Sequence, residues 1–199
     1  AGIVPFQRGV QICLGQGADW AGGFSEHAGH YRPRAGDTCS SAIMWRVNAG
    51  VYLHIPFCRA RCTYCDFNTY IGMESLYSPY ARALEREIRQ QQRIDGLAPS
   101  TIFFGGGTPS LLQPHELGTL IGAARETLGM PRDSEVTVEC NPGTVTAEYL
   151  GALRAQGVNR LSFGAQSASA EELQLLGREH GFADVARAVA DSRAAGFDN

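Results

Sequence analysis

The sequence predicts an α/β fold, an incomplete (β/α) barrel of about four parallel β/α units. Three observations predict it. Short apolar runs and helical patterns alternate from residue 50 to the end. Cap and turn residues punctuate them. Each apolar run is followed at once by a cluster of cysteine, glycine or polar residues. Strands alternating with helices build a parallel sheet through right-handed crossovers. In a barrel the loops after the strands gather on one face, where functional residues collect.

Val51–Ile55 is the first apolar strand. Ser78-Pro79 then reads as a helix start, with serine as N-cap and proline at the first helical position. Tyr80, Leu84 and Ile88 recur on one face of this helix, and Gly96 can end it. Thr101–Phe104 is the second strand. Pro114 opens a helix whose apolar stripe is Leu117, Leu120, Ile121, Ala124 and Leu128, closed by Gly129. Val136–Glu139 is the third strand, and Thr146 caps a helix carrying Leu150 and Leu153, stopped by Gly157. Val158–Phe163 is the fourth strand. Ser169 and Glu172 form a capping box ahead of Leu173 and Leu176. A last helix runs from Phe182 to Ala195 and ends at Gly196. Asn199 falls where a fifth strand is due, so residues 44–199 read as the N-terminal part of a barrel domain, interrupted before its later strands.

Residues 1–43 differ. Eight of the 24 glycines fall in the first 36 residues, and no periodicity persists. Such a stretch buries too little apolar surface to offset its ordering entropy, so a disordered extension is expected. Met44, eight residues before Tyr52, is the expected natural start.

Composition narrows the function classes. Net charge is −3, which leaves no electrostatic footprint for nucleic acid or anionic membrane. No apolar run approaches the roughly 20 residues of a membrane span, and no secretory signal is visible. Of six cysteines, three crowd into eight residues. Clustered thiols in a chain without an export signal point to a reducing cytoplasm and to metal or redox chemistry.

Cys58-x3-Cys62-x2-Cys65, after the first strand, is the strongest signal. Thiolates suit zinc, Cu(I) or iron–sulfur clusters. Zinc wants a fourth ligand, for which Cys140 or His54 would have to serve. A three-cysteine [4Fe–4S] site instead leaves one iron open to a small molecule. Gly105-Gly106-Gly107-Thr108-Pro109 follows the second strand and would offer unobstructed backbone groups to a polar ligand head, or simply turn the chain. It is neither a P-loop nor a dinucleotide fingerprint. The third strand ends in Glu139-Cys140-Asn141-Pro142-Gly143 and the fourth in Gly164-Ala165-Gln166-Ser167. Glu139 has a plainer reading as the salt-bridge partner of Arg160, and Gln166 as a satisfier of loop backbone. Arg178 and His180 read equally as a solvated helix cap, and Tyr52 and Tyr64 as core aromatics. Cys13 and Cys39 take no role.

These residues resemble a known family. Tyr52-Leu-His-Ile-Pro-Phe-Cys58 through Cys65-Asp66-Phe67 is similar to the radical SAM motif of the oxygen-independent coproporphyrinogen III oxidase group. Gly105–Pro109, Glu139–Gly143, Arg160–Gln166 and Leu176-Gly-Arg178-Glu-His180 match its later motifs in order. The oxidases carry a further cysteine two residues after the third cluster cysteine. Phe67 stands there instead, so the chain resembles the HemW branch of heme chaperones. The resemblance implies a [4Fe–4S] cluster on Cys58, Cys62 and Cys65, and S-adenosyl-L-methionine (SAM) contacts from Tyr52, Tyr64, Gly106, Gly107, Thr108, Glu139, Gln166 and Arg178. It implies heme as cargo and a heme-receiving respiratory protein as partner. Oxidative decarboxylation of a porphyrinogen, or an inactive fragment of either protein, are the alternatives. In two places the chain departs from the family pattern: Cys140 replaces a small residue and Ala168 an aromatic. No heme ligand can be picked among His54, His115 and His180.

Overall fold

The structure, a computed structural model, describes residues 10–15, 48–91 and 99–199. Five strands form one sheet in chain order: β1 Val10–Gly15, β2 Asn48–Ile55, β3 Thr101–Gly106, β4 Glu135–Cys140 and β5 Arg160–Phe163. β2 to β5 run parallel, as the alternation predicts, and β1 pairs antiparallel with β2 at the edge. Sheet order that follows chain order winds the chain in one direction, the topology of a barrel wall rather than of a doubly wound sheet.

β1 corrects one expectation. It lies inside residues 1–43, which were read as irregular. Its sequence, Val10-Gln-Ile-Cys-Leu, alternates apolar and polar residues with the period of a strand, but too briefly to stand out. Its partner strand lies far along the chain, with Val10 paired in register with Leu53, 43 residues on, beyond the reach of local pattern. The rest of the expected extension, Met44 included, lies outside the described residues, as does Gly96.

The helices are α1 Tyr77–Arg89, α2 Pro114–Leu128, α3 Ala147–Ala155, α4 Ala170–Leu175 and α5 Phe182–Ala194; the first three cover the sheet, and α5 packs on α3. Strand side chains alternate between two faces. On the helix side, Val51, Leu53, Ile55, Ile102, Phe104, Val136 and Val138 are sealed against Leu84 and Ile88 of α1, Leu117, Leu120 and Ile121 of α2, and Leu150 and Leu153 of α3. Each such side chain contributes about 1.5–3 kcal/mol of burial. On the other side, one row across the sheet runs Tyr52, Phe103, Thr137, Arg160. The next holds Glu139 beside Ser162.

Most helix boundaries follow the caps read from sequence. Gln113 and Glu116 form a capping box at α2, and Gly129 ends it at φ 72°. Thr146 accepts the Tyr149 amide at the start of α3 (3.2 Å). Three expectations shift. α1 begins before Ser78, because a 3-10 turn over Glu74–Leu76 leads into it. Pro79 therefore sits inside the first turn, where the missing N–H has no intrahelical partner anyway. Ser169 caps α4 alone: Glu172 turns to Ser167 Oγ rather than back to the cap. β5 starts at Arg160, because the Asn159 side chain takes the place of ladder bonds, accepting from Val136 N (2.7 Å) and donating to Ser134 O (3.0 Å). Asn199 O accepts the Leu161 amide (3.1 Å), so the chain returns alongside β5. Among the described residues no helix is long and apolar enough to cross a membrane.

Candidate functional site

The cysteine loop leaves β2 and returns to where it left. Cys58 N donates to Tyr70 O (2.9 Å) and Tyr70 N to Pro56 O (2.7 Å), closing a bridge between Phe57 and Tyr70. Phe57 fixes that bridge in the core, packed on the rings of Tyr77 (4.7 Å) and Tyr80 (5.3 Å). Within the loop, Cys65 N donates to Cys62 O (3.2 Å), a tight turn that groups two of the thiols. A second anchor comes from far away. Thr63 donates through its amide to Leu176 O (3.3 Å) and through its hydroxyl to Leu175 O (3.0 Å). These are carbonyls at the C-terminal end of α4, which have no helical partners of their own.

The glycine run after β3 has a specific account at each position. A Cβ on Gly107 would lie 2.5 Å from the backbone oxygen of Phe57, so only glycine lets the two segments approach. A Cβ on Gly106, at φ 112°, would strike the His54 ring at 2.5 Å. The amides of this turn are already engaged. Gly106 N–H reaches the Glu139 carboxylate, Gly107 N donates to Ile55 O (2.8 Å) and Thr108 N to Phe57 O (2.7 Å). This corrects the expectation of free backbone groups: what the turn presents to a ligand is acceptor oxygen and bare Cα surface. Thr108 adds a hydroxyl directed at Cys58 Sγ (3.6 Å).

β4 and β5 complete the wall. Glu139 is not bridged to Arg160, which contacts Glu135 (3.7 Å) and Thr137 Oγ1 (3.2 Å) instead. Burial pushes the Glu139 carboxyl above the usual carboxylate range, and the Gly106 amide offsets part of that. Gln166 sits at φ 64°, the only non-glycine residue with positive φ among the described residues. Arg178 places Nη1 3.2 Å from Cys62 Sγ and Nη2 3.0 Å from Gly164 O. Its Nε is buried without a hydrogen-bond partner.

Together these groups enclose a cavity of about 410 Å³, within the range of small-molecule sites. Cys58, Cys62, Cys65, Tyr64, Gly106, Gly107, Thr108, Glu139, Gln166 and Arg178 all line it. Tyr52 does not. It stacks on Phe103 (6.1 Å) and bonds to His54 Nδ1 (3.0 Å), bracing the face below. Tyr64 is 48% exposed, so it is no core aromatic.

Sequence reasoning missed Ser162 and Thr144, which also line the cavity with Asn141 of the Glu139–Gly143 cluster. The signal for Ser162 was available, since strand alternation places it beside Glu139. Thr144 sits on a 3-10 turn, Pro142–Thr144, whose geometry no local pattern announces.

The donor set fits an iron–sulfur cluster better than a closed zinc site. Cys140, one candidate fourth zinc ligand, points to the helix side of β4, 4% exposed, where burial raises its thiol to about 12. His54, the other, is held by Tyr52 and by Asn68 O (3.4 Å), and burial lowers its pKa. Among the described residues no three His, Cys, Asp or Glu side chains converge as a single ion would require. Three thiols, a guanidinium with a buried unpartnered Nε and an acceptor-rich glycine turn suit a cluster with an open iron and a zwitterionic ligand. Of the other histidines, His115 is exposed on α2 and His180 is buried against Ala165 O (3.1 Å).

The radical SAM superfamily profile matches residues 52–199. The mouse (Mus musculus) protein "Radical S-adenosyl methionine domain-containing protein 1, mitochondrial" is 43% identical over 146 residues, 73% of this chain and 33% of that one. The Escherichia coli heme chaperone HemW is 41% identical over 141 residues, 70% of this chain and 37% of that one. The solved coproporphyrinogen III oxidase HemN of Escherichia coli superposes with a TM-score of 0.66 at 32% identity, covering 74% of this chain and 34% of that one. The chain thus spans about a third of the length of the relatives it matches.

Proposed function

The chain belongs to the radical SAM superfamily, and from that membership we propose that it forms the cluster- and SAM-binding portion of a heme chaperone. One observation carries the reading: the cysteine loop, the glycine turn, Glu139, Gln166 and Arg178 converge on a single cavity. The similarity to a heme chaperone supports the chaperone role. So does position 67, where the oxidases that the chain resembles carry a further cysteine. Phe67 offers instead an apolar ring, 68% exposed at the cavity wall.

When bound, the cluster and SAM supply one-electron reductive cleavage of a carbon–sulfur bond. The protein's part is to bind and orient. Cys58, Cys62 and Cys65 would hold the cluster as thiolates, three ligands for four irons, which would leave one iron for SAM. Arg178 presents a fixed cation to a carboxylate. The Gly106–Thr108 turn, its amides engaged, offers only acceptors, which suits an ammonium. Tyr64 offers an aromatic face to an adenine. Tyr52 supports this set from beneath rather than by contact. Heme is the cargo, a respiratory protein the recipient, and a reducing cytoplasm the setting in which Cys58, Cys62, Cys65 and Cys140 stay out of disulfides.

Anaerobic reconstitution with iron and sulfide, followed by heme titration and by incubation with coproporphyrinogen III, SAM and a reductant, tests the proposal. A bound cluster, retained heme and no vinyl product are expected. Vinyl product would transfer the chain to the oxidases. One bound zinc with neither iron nor sulfide would overturn both readings.

A further inference from the structure

β5 ends in a turn whose conformation costs free energy. Ala165 N donates to Phe163 O (2.9 Å), and Ser167 N donates to Ala165 O (2.8 Å) across Gln166 at φ 64°. A three-residue turn closed at positive φ is the rare, strained form of the γ-turn. A glutamine held there persists only if its surroundings over-determine it, and such outliers cluster at ligand sites. The side chain that gains from the strain is Gln166 itself. A Cβ on Gly164 would lie 3.1 Å from Gln166 Nε2 and 3.5 Å from Arg178 Nη2, so the amide lies over Gly164 beside the guanidinium, in the cavity wall.

What holds the turn is His180. Its ring is buried, 4% exposed, and Nε2 donates to Ala165 O (3.1 Å). That oxygen is the one that closes the γ-turn. A carbonyl has two lone pairs, and here the Ser167 amide takes one and His180 the other. Without the imidazole, one bond would remain to hold a strained residue, and Gln166 would be released toward an ordinary backbone basin. Nδ1 has no hydrogen-bond partner among the described residues, so the ring is kept in place by its contact with Ala165 and by packing, not by a second polar anchor.

We infer that His180 is a positioning residue for the SAM site: it locks the Ala165–Ser167 turn and thereby aims Gln166 into the cavity. The inference rests on the proposed SAM reading. Its test is SAM affinity, measured by equilibrium dialysis on the anaerobically reconstituted full-length protein, with cluster content and melting temperature followed in every variant. Gln166→Ala is expected to weaken SAM roughly tenfold, the worth of one hydrogen bond to a charged ligand. His180→Leu should weaken it by a similar factor with the cluster retained. The double variant should be no weaker than the poorer single one, since both changes remove the same contact. His180→Gln, whose amide can reach Ala165 O, should stay near wild type, whereas the shorter His180→Asn should not. If His180→Leu does not fold, the Gln–Asn pair decides the matter. Wild-type affinity in His180→Leu or His180→Asn, or losses that multiply in the double variant, would overturn the role of His180 while leaving the SAM reading intact. A wild-type protein that holds a cluster and binds no SAM would overturn the parent reading, and this inference with it.

Discussion

On one side of the sheet, Leu53, Ile55, Ile102, Phe104, Val136 and Val138 are 0% exposed. On the other, at alternate positions of the same strands, stand Tyr52, His54, Phe103, Glu139, Arg160 and Ser162, none of them sealed, with Thr137 the buried exception in the row of Tyr52, Phe103 and Arg160. One residue of offset separates stability from chemistry. The helix side is apolar without interruption and carries the burial free energy. The opposite side is aromatic and polar near the strand ends, where it meets the cysteine loop. The contrast explains why Cys140, one position from Glu139, packs into the apolar core while Glu139 stays half-buried, although both border the cavity.

The largest effect should come from the helix side. Phe104→Ala is expected to cost about 3–5 kcal/mol in urea unfolding, because its ring is wholly buried and the cavity left behind collapses only in part. A cost below about 1 kcal/mol would erase the contrast between the faces.

A paired substitution sharpens it. Cys62→Ser should abolish iron retention after reconstitution while far-UV circular dichroism stays unchanged, since Cys62 lies on a loop. Cys140→Ala should leave iron content as in the wild type and lower stability by about 1 kcal/mol, the scale of a small buried group. Iron loss in Cys140→Ala would place that thiol among the ligands and break the assignment of faces.

The smallest effect concerns Glu139. Its folded pKa lies above the unfolded value, through burial. The folded state therefore holds its proton longer than the unfolded one. Stability should fall as pH rises from the ordinary value of 4.5 through the raised folded value, and level off above it. Glu139→Gln removes that slope. The variant should gain on the wild type in urea midpoints as pH rises above the ordinary value of 4.5, with the two converging at the acid end. The opposite trend would mean that the Gly106 amide outweighs burial.

Much of this division was legible in the chain. Apolar runs of four to six residues bounded by Pro114, Gly129, Thr146 and Gly157 marked strands and helices, because caps and turns are local chemistry. The cysteine spacing marked the loop. Contacts between distant segments were not legible. No local pattern says that Gly107 abuts Phe57 O, that the amides of the glycine turn are taken, or that Thr63 binds α4. The start of α1 was misplaced because Ser78-Pro79 satisfies the cap rule just as well two residues too late. Glu139 was assigned an equally plausible salt bridge because sequence gives charge but not direction, and Arg160 turns to Glu135.

Thr63 carries one more consequence. Its hydroxyl acceptor, Leu175 O, lies 112 residues further along the chain. During synthesis at roughly 5–20 residues per second, the cysteine loop therefore emerges several seconds or more before the segment that braces it. Metal delivered to the nascent chain would meet thiols on an unsupported loop. Delivery after α4 has docked meets the finished cradle, and that ordering favours insertion as a late event in the life of the molecule.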